Sequence, residues 1–90
     1  MLIALIARDK VGALPVRMEN RPAHVEYLKS GDAVQQAGPL LDEQGEMCGS
    51  LIILDLPDMA AAEEWVAGDP YGKAGLFDSV ELIPWNRVIG

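Results

Sequence analysis

An α+β fold built on one four-stranded antiparallel sheet is predicted by three features of the sequence. Apolar runs and helical segments alternate in the order β-α-β-β-α-β. Two of the strand segments, residues 2–7 and 48–56, are apolar on both alternating faces, as strands at the centre of a sheet are. The other two each carry a proline, Pro39 and Pro84, which edge strands tolerate and central strands do not.

The elements follow in order. "LIALIA", residues 2–7, is the first central strand, and "RDKVGALPV" reads as a loop broken by Gly12 and Pro15. A helix covers roughly residues 17–30 and ends at Ser30-Gly31, glycine being the expected cap. Pro22 leaves two possibilities for it. The helix begins near Asn20, with Pro22 in its first turn, or an earlier turn is kinked at Pro22. "AVQQAGPLL" is the second strand, "DEQG" at 42–45 a hairpin turn, and "CGSLIILDL" the third strand. In "PDMAAAEEWVAGDP" Pro57 and Asp58 open a second helix and Gly68 closes it. Its inner face holds Ala61 and Trp65 with Ala62 or Val66. "YGKAGLF" is a short connection, and "DSVELIPWNRVI", residues 78–89, is the last strand.

This order is the ferredoxin-like arrangement, with both helices on one face of the sheet. The helices cannot cover the second face, yet the central strands are apolar there too. Half of the 90 residues are hydrophobic, more than a core this small absorbs. A second subunit's sheet would cover the surplus, giving a homodimer or higher oligomer with the form of a dimeric α+β barrel. No repeat or linker divides residues 1–90, so a single domain is expected.

Composition excludes several function classes. A net charge of −7, with basic residues scattered, argues against nucleic acid and anionic membranes as partners. The N-terminal apolar run is too short to cross a bilayer and has no basic region before it, so a cytoplasmic protein is expected. The one cysteine, Cys48, can form no internal disulfide and reads as a packed thiol. No His/Cys/Asp cluster has metal-ligand spacing, and no phosphate-cradling loop or nucleophile elbow occurs, so neither a metal nor a cofactor is expected.

The chain's one histidine, His24 in "NRPAHVEYLK", is the foremost candidate for chemistry, because its ring exchanges a proton near neutral pH. At helical spacing it shares a side with Arg21, Tyr27 and Leu28. Val25 and Leu28 mark the buried stripe, which puts His24 at its edge. The bland alternative is an imidazole satisfied by a backbone carbonyl. Asp69, in "GDPYGKAGLF", is an ordinary turn former before proline, but it could also accept from His24 and fix its tautomer. Asp32 is a second candidate for that role. Gly38-Pro39 and Gly49-Ser50 flank the hairpin, where glycine often marks a bulge or a close backbone approach. The Ser50 hydroxyl could meet a ligand. Arg8, Arg17 and Arg21 could pair with a substrate carboxylate, and Tyr71 could act as an acid or ligand contact. Trp65 and Trp85 read as core or interface.

The segments "NRPAHVEYL", "AGPLLDEQGEMCGSLIIL" and "DPYGKAGLFDSVELIPW" together resemble the YciI-like (YCII-related) family over almost the whole chain. The resemblance implies a ferredoxin-like fold, a dimeric α+β barrel and a His–Asp active site beside a pocket in each subunit. The histidine matches His24, within "RPAH". The aspartate matches Asp69, within "DPY", with Asp32 still open. Related barrels include isomerases, dehalogenating lyases, metal-free monooxygenases and ligand binders, so the resemblance alone does not choose a reaction.

The leading expectation is therefore a lyase or isomerase that works without a cofactor on a small organic molecule. His24 and Asp69 would be catalytic, and Arg21, Gly38, Pro39, Ser50 and Tyr71 would bind substrate. The alternatives are a non-catalytic ligand-binding or accessory domain, and a structural role for His24 at the dimer interface.

Overall fold

In the computed structural model, which describes Met1–Gly90, the chain forms seven elements. They are β1 (Leu2–Asp9), α1 (Leu14–Lys29), β2 (Val34–Leu41), β3 (Met47–Asp55), α2 (Met59–Gly68), α3 (Pro70–Lys73) and β4 (Phe77–Pro84). The sheet order is β2-β3-β1-β4, with every neighbouring pair antiparallel. β1 and β3 are central, and Pro39 and Pro84 fall on the edges, where a missing N–H disrupts the ladder least. The ferredoxin-like α+β fold expected from the element order is the fold observed.

Register decides which side chains face the helices, because directly opposed residues share a face. Ile3, Leu5 and Ala7 oppose Leu54, Ile52 and Ser50, and all of these point to the helix side. With Ala62 of α2, the apolar members form the buried core, against which Leu28, Trp65, Val66 and Leu82 pack. The alternate residues Ala4, Ile6, Leu51, Ile53 and Ile83 form the other face, where Leu51 and Ile83 are each 42% exposed.

Several boundaries differ from expectation. The first helix starts at Leu14 with Pro15 in its first turn and Pro22 inside it, so it begins before Pro22 and not near Asn20. Part of "RDKVGALPV" is thus helical, because Pro15 fits a helix start, where no donor is needed. "YGKAGLF" is more than a connection: Pro70–Lys73 make a helical turn, and β4 already begins at Phe77. The last strand ends at Pro84 rather than running on to residue 89. Its pairing with β1 closes where β1 itself begins, at Leu2, whose carbonyl accepts from the Trp85 N–H at 3.0 Å. Trp85 is 39% exposed, whereas Trp65 packs on the core.

Of the strand glycines, Gly49 is the one that needs its missing side chain. A β-carbon there would collide with the carbonyl oxygen of Ala7 on the neighbouring strand and lie 3.0 Å from Leu40 Cδ1. Gly49→Ala should therefore destabilise the fold by about 2 kcal/mol, as overpacking does. Urea unfolding at fixed protein concentration checks this: the midpoint should fall with an unchanged slope.

Candidate functional site

The site is assembled on the inner side of α1. Residues 17, 21, 24 and 28 fall on one side of a helix. The outcome reverses the expected burial: His24 (5% exposed) and Arg17 (2%) are the buried residues of α1, while Val25 and Leu28 are half-buried. The cause is what lies beneath. This part of the helix packs over polar groups that satisfy both side chains, whereas a purely apolar floor would have expelled them.

His24 Nδ1 lies 2.7 Å from Asp69 Oδ1, and both side chains are buried. Asp69 sits at the junction of α2 and α3 with extended backbone (φ −68°, ψ 126°), as expected before a proline. The same Oδ1 accepts the Tyr71 backbone N–H at 3.0 Å, capping α3. The carboxylate is thus held from two sides. A carboxylate accepting from Nδ1–H leaves Nε2, which has no protein partner, as the free nitrogen of the neutral ring. Asp32 lies exposed beyond α1 and makes no bond to His24; its backbone carbonyl accepts from the Gln35 side chain at 3.2 Å.

Tyr71 links this pair to a second one. Its ring stacks on His24 with centroids 3.7 Å apart and 12° between planes. The Arg17 guanidinium carbon lies 4.6 Å from the same ring's centre. Arg17 is gripped by Asp9, Nε donating to Oδ2 at 2.7 Å and Nη2 to Oδ1 at 3.1 Å. Nη2 also donates to Ser50 Oγ at 2.8 Å. Asp9 ends β1 where the register against β4 shifts. Ser50 opposes Ala7 and Pro39 on the helix-facing side.

Burial works against the Arg17 charge, but the hydrogen bond and charge of Asp9, together with the neighbouring Tyr71 hydroxyl, outweigh it and hold the guanidinium pKa above its ordinary value. Burial also raises the Tyr71 hydroxyl pKa, and the nearby Arg17 and Arg21 charges only partly offset it. Tyr71 therefore stays a neutral phenol over the working pH range.

A cavity of about 220 Å³ opens beside these groups. Arg21, Gly38, Pro39, Ser50 and Tyr71 all line it together with His24 and Arg17, while Asp69 stands behind the imidazole. Val25, Leu28 and Ile52 supply apolar wall. Arg21 sits exposed at the rim. Gly38 lies at no register shift, and a β-carbon there would meet nothing within 4 Å, so neither a bulge nor a close approach accounts for it. A second hollow, on the open sheet face, is lined by Gln36, Leu40, Leu51 and Ile53 and shares Ala37, Gly38 and Pro39 with the first. Arg8 is exposed and does not line this cavity. Asp9 was not among the sequence candidates. Its signal was a lone acid closing an apolar strand, with Arg17 on the same helix side as His24. No group of three or more His, Cys, Asp or Glu side chains is placed to hold a metal, and no helix is long and apolar enough to cross a membrane.

Comparison with known proteins gives a consistent picture. The YCII-related domain family matches residues 1–86. Protein YciI of Escherichia coli is 31% identical over 97 aligned residues, covering 98% of this chain and 99% of that protein. The structure of 5-chloro-2-hydroxyhydroquinone dehydrochlorinase (TftG) from Burkholderia phenoliruptrix, in complex with 2,5-dihydroxybenzoquinone, superposes with a TM-score of 0.88. It is 32% identical, covering 96% of this chain and 94% of that one. An antibiotic biosynthesis monooxygenase shares the fold at a TM-score of 0.57 and 16% identity, covering 97% of this chain and all of its own.

Both tyrosines of the chain, Tyr27 and Tyr71, have pKa values raised above the ordinary 10.0, each chiefly by burial. A neutral group that holds its proton more tightly when folded contributes full stability below its unfolded pKa and loses it as pH rises. Stability should therefore decline once pH passes about 10. Spectrophotometric titration of the folded protein should show both tyrosinates forming at higher pH than an ordinary phenol does, and an ordinary phase would contradict the raised values.

Proposed function

This chain belongs to the YCII-related family, and on that premise we propose that it is a small-molecule enzyme carrying out acid–base chemistry without a cofactor. The reaction is an elimination, or failing that an isomerisation, on a small cyclic or aromatic compound. The observation that carries this reading is the buried 2.7 Å contact between His24 Nδ1 and Asp69, which leaves Nε2 available at the cavity wall. A base oriented from behind by a carboxylate is how an imidazole is kept in one tautomer and its protonated form stabilised.

In the elimination, Nε2 takes a proton from an acidic O–H or C–H of the ring. Electrons move through the ring, and the leaving group departs with its bonding pair. Nothing is oxidised or reduced overall. The imidazolium is stabilised by Asp69 and returns its proton to solvent. Arg21 at the rim would draw an anionic substrate into an otherwise acidic protein. The cavity of about 220 Å³ suits one substituted ring, since about 150 Å³ is enough to enclose benzene. The likeness to a dehydrochlorinase over nearly its full length supports elimination ahead of isomerisation. The same reading has the protein working in the cytoplasm as a homodimer, its half-exposed Leu51 and Ile83 covered by a second sheet. Its net charge of −7 supports a small molecule rather than nucleic acid as ligand.

The assay is chloride release from 5-chloro-2-hydroxyhydroquinone by the native protein. His24→Gln should abolish turnover while leaving the fold intact, and retained activity would remove His24 as the base. Asp69→Asn should lower kcat by about 10²–10⁴, with a smaller change in KM, because an amide no longer holds Nδ1 protonated. Nitrogen NMR of the imidazole should show the tautomer change in the same variant. A native protein that binds the ring and returns it unaltered would be a ligand-binding domain instead.

A further inference from the structure

Tyr27 lies on α1 outside the cavity, one helical turn beyond His24 and on the same side. Its hydroxyl donates to the backbone carbonyl of Trp65 at 2.7 Å, the one hydrogen bond that joins α1 to α2. That carbonyl needs a donor because α2 tightens as it ends. The Asp69 N–H, its partner in a regular α-helix, donates instead to the Val66 carbonyl at 3.1 Å. The tyrosine hydroxyl satisfies the carbonyl left over. Its ring also lies against the Trp65 indole, with centroids 4.9 Å apart and 44° between planes.

Gly68 makes the fit close. A β-carbon there would stand 2.5 Å from the Tyr27 hydroxyl oxygen and 3.2 Å from Cζ. The hydroxyl thus rests on the chain at the residue immediately before Asp69. Two ties run between the same stretches of chain, Tyr27 to the end of α2 and His24 to Asp69. The first fixes the direction in which the chain leaves α2, and the second depends on that direction. The charge of Asp69 reaches the Tyr27 hydroxyl as well, adding to burial in raising its pKa.

We infer that Tyr27 is a positioning residue for the base: its hydroxyl, seated between the Trp65 carbonyl and Gly68, sets where Asp69 stands and so keeps the His24 proton on Nδ1. The inference rests on the proposed acid–base reading and extends it to a residue that lines no part of the cavity. An imidazole whose carboxylate partner shifts can place its proton on Nε2 instead, and that nitrogen then has no lone pair with which to act as base.

The test is nitrogen NMR of the imidazole in the ligand-free protein, read beside chloride release from 5-chloro-2-hydroxyhydroquinone. Tyr27→Phe keeps the ring on Trp65 and removes only the hydroxyl. It should show a mixture of tautomers where the native protein has one, and lower kcat about tenfold with KM changed by less than about twofold. A tyrosine that served packing alone would lower the unfolding midpoint and leave tautomer and kcat as in the native protein, and that result would overturn the inference. Gly68→Ala reaches the same seat from the other side. Its methyl group should displace the hydroxyl and mix the tautomers to a similar degree, and combining it with Tyr27→Phe should add little, as for residues acting through one contact. Additive effects would overturn the shared seat. Should Gly68→Ala not fold, Tyr27→Phe decides alone. Because the tautomer is read without substrate, a native protein that releases no chloride sinks the proposed reaction, while the ring signals still decide whether Tyr27 positions His24.

Discussion

One carboxylate oxygen ties the two halves of the site together. Asp69 Oδ1 receives both the Tyr71 backbone N–H and the His24 ring. Without it the short α3 would lose its cap, and the imidazole would lose its orientation. A buried carboxylate is costly unless it is hydrogen-bonded, so the donors around it are conditions for its burial. That places the Tyr71 ring against His24, because the residue that donates to Asp69 through its backbone also presents its ring to the imidazole. The chain at residues 69–71 thus orients the imidazole, caps a helix and builds one wall of the cavity.

The Asp9–Arg17 pair shows the same economy of parts and a different energetic logic. An ion pair buried this deeply is a poor way to gain stability, since taking both charges from water costs about what their attraction returns. Removing one partner is a different matter, because the survivor remains buried and unpaired. A well-packed apolar pair could fill the same space. What it could not do is hold a serine hydroxyl in a fixed direction. The distinctive consequence of the pair is a serine hydroxyl held in place, not the stability it adds.

The architecture was legible because it is written in patterns with long range. Two-sided apolar strands and the placement of Pro39 and Pro84 were enough to order the sheet. His24 and Asp69 were legible as candidates, one as the chain's only histidine and the other as an aspartate before proline that also caps. Their meeting was expected but left open against Asp32, since 45 residues separate His24 from Asp69 and only the packing of α1 against α3 joins them. The burial of α1 was misread for a related reason. A periodicity argument assumes that the inward stripe is apolar, and here it carries Arg17 and His24 because polar partners wait on the sheet and on α3. Asp9 escaped notice because a single acid at a strand end usually faces water. The helical start at Leu14 was hidden by Pro15, which resembles a loop residue until it is recognised as a first-turn residue.

The strip Ala37–Pro39 lies along an edge strand and borders hollows on both faces of the sheet. Whatever settles on the open face therefore touches the back of the wall that faces His24. If a second subunit settled there and shifted that wall, assembly and ligand occupancy would be thermodynamically linked, each biasing the other by the same free energy. A ligand held more tightly by the assembled form would draw subunits together, and dilution would weaken its grip. An enzyme built on so small a chain would thus carry a dependence on its own concentration, arising from three residues at the margin of a sheet.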